Sequence, residues 1–278
     1  MDVSHLIEAL NPAQREAVCA ERGNYLVLAG AGSGKTRVLT SRIAWLNQVF
    51  DVPLYRILAV TFTNKAAAEM RSRIGLLLPE GSRGMWAGTF HGIAHRLLRL
   101  HWQEANLPEA FQVLDADDQL RMIKRVVQDL QLDDTRFPPK QLVWWINNHK
   151  DAGRRPSSIQ INMGDQFTRI QLQVYEEYEA RCQRSGLVDF AEILLRAHET
   201  LLKVPALLEH YQQRFSEILV DEFQDTNNVQ FAFIRLLAGQ NGCVFVVGDD
   251  DQSIYGWRGA QVENMQKFLR DYPNTQTI

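Results

Sequence analysis

The sequence predicts an α/β fold with a parallel sheet, interrupted by an inserted all-helical domain. Three observations predict it. Short apolar or β-branched runs alternate with helical patterns, the first run leads into a glycine-rich loop, and a long middle stretch carries no strand pattern.

The runs Tyr25–Leu28, Ile57–Thr61, Met85–Ala87, Ile218–Val220 and Val244–Val247 read as strands buried on both faces, with Thr36–Val49, Lys65–Leu77 and Val229–Leu237 as covering helices. Between His91 and Phe215 only helical patterns occur. One helix opens at Asp115 with Asp118 in its first turn, another follows Pro138-Pro139 and stops near Gly153, and a third runs from about Asp165 to Gly186. Two more follow Asp189 and Pro205. A crossover within one sheet needs only about a dozen residues. The middle is therefore expected to be a separate domain: 1–92 and 216–278 form the α/β core, and 93–215 the helical insertion.

Composition agrees with two domains, because 278 residues, 45% of them hydrophobic, supply material for more than one core. A net charge of −3 provides no basic field, so nucleic-acid contact would rest on local patches and stacking. Cys19, Cys182 and Cys243 lie far apart without metal-ligand spacing and read as reduced, buried fillers. The N-terminus lacks the basic and apolar regions of a signal peptide, and no apolar run approaches membrane-spanning length, so a cytoplasmic protein is expected.

Ala29-Gly30-Ala31-Gly32-Ser33-Gly34-Lys35-Thr36-Arg37 sits between the first strand pattern and the first long helix, the context a phosphate-binding loop requires. Glycines let successive N–H groups turn onto phosphates, and the helix N-terminus adds partial positive charge. Lys35 and the Thr36 hydroxyl would reach the terminal phosphates of ATP and Mg²⁺. Ala29 stands where the usual pattern has glycine. Asp221-Glu222 follows the run Ile218-Leu219-Val220. Asp221 is assigned to Mg²⁺ and Glu222 to general-base work, although an isolated Asp-Glu pair can equally cap a helix.

Six ordered segments carry a resemblance: Leu10–Arg15, the phosphate loop, Thr61–Ala67, Gly88–His91, Asp221–Thr226 and Gly248–Ala260. They resemble the successive motifs of the UvrD/Rep/PcrA family of superfamily 1 DNA helicases, over essentially the whole chain. The resemblance implies a RecA-like P-loop domain in an ATP-driven motor that moves 3′ to 5′ on single-stranded DNA and unwinds duplex. It also implies work in DNA repair, with single-stranded DNA, ss/ds junctions and repair proteins as partners. By the same resemblance Gln14 would read adenine, and Gln252 would sense the terminal phosphate. Gln252 stands three residues before Tyr255, so a shift at one would move the other.

Phe62, His91, Tyr255, Trp257 and Arg258 lie at or beyond the ends of strands, where open α/β sheets place ligands. They are candidates for single-stranded DNA, since stacking is sequence-tolerant. The resemblance adds Asn64 and Thr89, with Thr89 and His91 on the DNA backbone. Taken singly, these aromatics are equally at home in a core, and His91 as a structural histidine. Arg136, Lys140, Lys150, Arg154 and Arg155, interleaved with Trp144, Trp145 and His149, form a further candidate DNA surface or an ordinary solvated face.

The chain ends at Ile278, where the family's first core domain would finish. The expectation is the N-terminal half of a helicase, without efficient ATPase or helicase activity by itself. Two other classes stay open: a different P-loop enzyme such as a nucleotide kinase, and a nucleotide- and DNA-binding module without catalysis.

Overall fold

The computed structural model describes residues 3–30, 32–78, 81–162, 164–249 and 261–278, with side chains of the last segment from residue 264 onward. Eight strands are present among these: β1 Tyr25–Leu28, β2 Ile57–Thr61, β3 Trp86–Thr89, β4 Gln112–Val113, β5 Leu187–Val188, β6 Glu217–Val220, β7 Cys243–Gly248 and β8 Gln276–Thr277. Six of them form one sheet in the order β3-β2-β6-β7-β1-β8, every neighbouring pair parallel. The α/β fold with a parallel sheet is thus present, and its central strands β2, β6, β7 and β1 are almost wholly buried, as their continuous apolar runs require.

The helices of the sheet unit start where the sequence supplies caps. In α1, Pro12–Cys19, the Asn11 side chain accepts from the Gln14 N–H while the Gln14 side chain accepts from the Asn11 N–H, and Pro12 fits a first turn that needs no N–H. α2, Lys35–Gln48, follows Gly34 directly, and α3, Asn64–Leu77, is capped by Thr63. Val38, Leu39, Ile43 and Leu46 of α2 pack with Ile57, Ala59, Leu219, Phe245 and Val247 of the sheet. Each large apolar side chain so buried contributes about 1.5–3 kcal/mol.

The register matters for function. Thr61 stands opposite Thr89, Val60 opposite Val220, and Leu28 opposite Gly248. Parallel strands in this register end at one edge, so the segments after β1, β2, β3, β6 and β7 emerge side by side.

The chain divides into two compact units, one of residues 1–93, 205–227 and 231–278, the other of 94–204 with 228–230. The helix α9, Pro205–Arg214, belongs with the sheet rather than with the helical middle where its pattern had placed it. Its Tyr211 and the following Phe215 pack edge-on against Trp86 of β3, with ring centroids 5.7 and 5.4 Å away. In the helical unit, α5 Ala116–Asp129, α6 Pro139–Asp151 and α7 Gln166–Ser185 bury Ile123, Val126, Leu142, Ile146, Val174, Tyr175 and Tyr178. Asp115 and Asp165 cap α5 and α7 as their sequences predict.

The expectation of no strand between His91 and Phe215 needs a correction, because β4 and β5 form a two-residue parallel ladder. Gly186, at φ +64°, ends α7 and turns the chain into β5, and the Gln112 N–H donates to its carbonyl at 3.0 Å. Two residues are too few to show a period. The cysteines are all free, but only Cys182 is buried; Cys19 and Cys243 are half-buried. Among the described residues no helix is long and apolar enough to cross a membrane.

Candidate nucleotide-binding site

The segment after β1 is held against β7, where the Ala29 N–H donates to the Gly248 carbonyl at 2.9 Å. It then turns through Gly32 and Gly34, at φ +76° and +86°. These left-handed conformations favour glycine and bring neighbouring N–H groups to one side, an anion-binding concavity. At Gly34 a Cβ would also stand 2.9 Å from Gln14 Nε2, so a side chain there would displace that amide. That amide donates to the Ser33 carbonyl at 2.7 Å, so α1 braces the turn. α2 begins at once, and its first-turn N–H groups have no intrahelical partners. Lys35 and Thr36 occupy that first turn, with Arg37 exposed beside them. Ala31 lies outside the described residues.

Acidic side chains face Lys35 from two neighbouring strands. Its Nζ is 3.4 Å from Glu222 Oε2, after β6, and 3.4 Å from Asp249 Oδ2, after β7. Asp221 and Asp249 are buried, whereas the Glu222 side chain is 38% exposed, open enough for water to reach it. Burial and the charge of neighbouring Glu222 push the Asp221 carboxyl up to about 6, against the Glu222 N–H and Lys35, which favour its ionised form. A divalent cation would remove that cost. Among the described residues no group of three or more His, Cys, Asp or Glu converges as a metal site. A cation held here by Asp221 and Thr36 would complete its shell from water and bound phosphate, the manner of Mg²⁺.

Glu222 adopts φ +47°, a left-handed conformation that costs a non-glycine residue about 1–3 kcal/mol. Buried Gln224 restrains it. Its Nε2 donates to Glu222 Oε2 at 2.7 Å, and its Oε1 accepts from the Asp249 N–H at 3.0 Å. Sequence reading passed over both Gln224 and Asp249. Asp249 follows β7 as Asp221 follows β6, a signal that was available; the bridge made by Gln224 depends on strand order, which one sequence does not display.

Residues 10–273 match the family model described as the UvrD/REP helicase N-terminal domain. The chain belongs to that family. It is 61% identical to DNA helicase II of Escherichia coli (strain K12) over 278 residues, covering 100% of the chain and 38% of the relative. It is 57% identical to DNA helicase II of Haemophilus influenzae over 276 residues, 98% of the chain and 38% of the relative. Against ATP-dependent DNA helicase PcrA of Leuconostoc citreum the identity is 43% over 279 residues, covering 100% and 37%. The chain therefore spans less than two-fifths of the length of these curated relatives.

In this UvrD/REP domain the remaining sequence candidates sort into three groups. Phe62, Asn64, Thr89 and His91 stand at the C-terminal ends of β2 and β3, on the edge that carries Lys35, Asp221 and Glu222. Phe62 is half-buried and packs edge-on against Phe90, rings 5.4 Å apart, and Asn64 is exposed. The Thr89 hydroxyl accepts from the Gly92 N–H at 3.0 Å and so starts helix α4, Phe90–Leu100. Burial pushes the His91 imidazole down to about 4, so without a ligand it is neutral at neutral pH. Gln252, Tyr255, Trp257 and Arg258 lie outside the described residues.

The basic and aromatic stretch in the helical unit forms the third group, and its reading changes. Lys150 is buried, 2.6 Å from Asp189 Oδ2 and 3.0 Å from Glu192 Oε2. Arg155 forks onto Glu192 and Glu199 and also bonds Glu179. Both cations belong to an internal ionic network, and Trp145 packs perpendicular to Tyr175 on the same core. Arg136, Lys140, Arg154 and the 67%-exposed Trp144 are what the stretch leaves facing outward.

Proposed function

We propose that this chain forms the nucleotide-binding portion of an ATP-driven helicase that translocates 3′ to 5′ on single-stranded DNA and unwinds duplex, working in DNA repair in a bacterial-type cytoplasm. The observation that carries the reading is the shared edge. The glycine turn, Lys35, Asp221 and Glu222 lie on the same sheet edge as Phe62, Thr89 and His91. A site that only bound nucleotide would not need that alignment. The relatives' names, DNA helicase II and ATP-dependent DNA helicase PcrA, support the same substrates, ATP and DNA.

The chain's residues divide the work. Amides of Gly30–Thr36, with Ala29 and Arg37 at the flanks, hold the phosphates of ATP, and Gln14 meets the adenine edge. Lys35 exchanges its contacts with Glu222 and Asp249 for phosphate oxygens, which releases the Glu222 carboxylate. Glu222, oriented by Gln224, then accepts a proton from the attacking water. Mg²⁺, held by Asp221 and Thr36, would supply charge neutralisation at the phosphates. Gln224 also carries the change onward. It joins Glu222 to the Asp249 N–H, from which the chain continues to Gln252, Tyr255 and Trp257. His91 and Thr89 contact the DNA backbone, and the aromatics meet the bases, a mode indifferent to sequence.

The test compares two reactions in a protein that contains this segment: ATP hydrolysis with and without single-stranded DNA, and phosphoryl transfer to nucleoside monophosphates. DNA-stimulated hydrolysis without transfer is the expected outcome. Transfer without DNA stimulation would identify a nucleotide kinase instead.

A further inference from the structure

Arg42 is charged, lies in the core of the sheet unit and is only 1% exposed. It stands on α2, two turns beyond Lys35, and among the described residues no carboxylate hydrogen-bonds to it. Its guanidinium instead closes over the end of α1: Nη1 donates to the carbonyls of Val18, at 3.0 Å, and Ala20, and Nη2 donates to that of Glu21 at 2.8 Å. The rings of Tyr25, Phe50 and Phe245 lie 5.8, 5.9 and 5.5 Å from its charge centre. Burial of a cation is costly, and here its Nε finds no partner, so an apolar residue would fill the place with less penalty. The compensation is geometric. A rigid planar fork satisfies three carbonyls that face one way only when α1 sits at one distance and angle from α2.

The opposite end of α1 carries Gln14, whose amide touches the phosphate loop at the Ser33 carbonyl, 2.7 Å away. α1 has eight residues and so behaves as a short rigid rod. It is braced at its first turn by the loop that opens α2 and at its last turn by Arg42 of α2 itself. Reading adenine demands that one amide present a donor and an acceptor together, a bidentate fit lost by displacements of an ångström or less. We infer that Arg42 is a positioning residue for nucleotide-base selection: by clamping the C-terminal carbonyls of α1 it sets where Gln14 meets the base, without touching the nucleotide. This inference rests on the proposed adenine-reading role of Gln14.

The test is equilibrium binding of fluorescent ATP and GTP analogues to the 278-residue chain, its Gln14→Ala and Arg42→Lys variants, and the double variant. Lysine keeps the charge but cannot span three carbonyls. The unsubstituted chain should prefer the ATP analogue by about 10-fold or more. Each single variant should reduce that preference to less than about 3-fold, with affinity for the GTP analogue changed less than about 3-fold, and the double variant should lose no more. Unchanged preference in Gln14→Ala would overturn the adenine reading itself. Loss in Gln14→Ala with full preference kept in Arg42→Lys would overturn the role of Arg42 alone. Should Arg42→Lys not fold, hydrogen exchange on the unsubstituted chain decides. The ATP analogue, unlike the GTP analogue, should protect amides through Cys19, and protection confined to the first turn of α1 would refute the clamp.

Discussion

Asp221→Asn offers a test in which stability and function move in opposite directions. Burial and the adjacent Glu222 raise the Asp221 carboxyl from its ordinary 3.8 to about 6. At about 1.4 kcal/mol per pH unit, ionising it in the folded chain costs about 3 kcal/mol more than in the unfolded one. The folded-state value is the higher of the two, so the associated stability is complete below about pH 4 and lost as the pH rises through 6. Asparagine fills the same volume, and its side-chain oxygen can still accept the Glu222 N–H now bonded at 3.0 Å, but it never ionises. The ligand-free variant should therefore be more stable by up to about 3 kcal/mol at pH 7.5, by roughly half of that at pH 5, and equal at pH 3.5. In a domain of this size that is about 6–12 °C in Tm at pH 7.5. Calorimetry should follow the transition that Mg²⁺ and ATP shift in the unsubstituted chain, because two units can unfold separately. Mg²⁺ with ATP should raise that transition in the unsubstituted chain and leave the variant nearly unmoved. A variant no more stable at pH 7.5, or a gain independent of pH, would refute the electrostatic account. A variant still responding to Mg²⁺ would remove Asp221 as its ligand.

In a protein containing this segment, Glu222→Gln should retain ATP and DNA binding while slowing hydrolysis by about 10²-fold or more, and near-normal turnover would remove Glu222 as the base. Gln224→Ala deletes one hydrogen bond to a carboxylate and one to the β7 loop. Turnover should fall about 10-fold or more with ATP affinity within about 3-fold, and unchanged kcat would show that Gln224 orients nothing. Lys150→Met leaves Asp189 and Glu192 buried without their shared cation. Urea denaturation followed by tryptophan fluorescence should show a loss of about 3–5 kcal/mol in the helical unit, and a loss below about 1 kcal/mol would mean that water or another cation satisfies them.

What the sequence displayed and what it concealed differ by the range of the information. Strand runs, caps such as Asp115 and Asp165, and the turn glycines Gly32 and Gly34 act within a few residues, so each was legible in its own neighbourhood. The division of charge was not. Lys150 and Arg155 read like DNA-facing cations, and only the approach of Asp189, Glu192 and Glu199, 37 or more residues away, turns them inward. The edge of the sheet shows the same limit. Asp221 and Lys35 announced themselves by motif, yet the contact that ties the base to the next loop needs β6 beside β7, and that order follows from packing the whole sheet. Arg42 is the extreme case, since nothing in its helical pattern distinguishes it from a solvated arginine. Its role becomes visible only when α1 lies across α2 and three carbonyls converge on one guanidinium. Local chemistry thus names the groups that react, while the residues that aim them are recognisable only after long-range packing has buried them, and it is on this second set that base selection and coupling to DNA are proposed to depend.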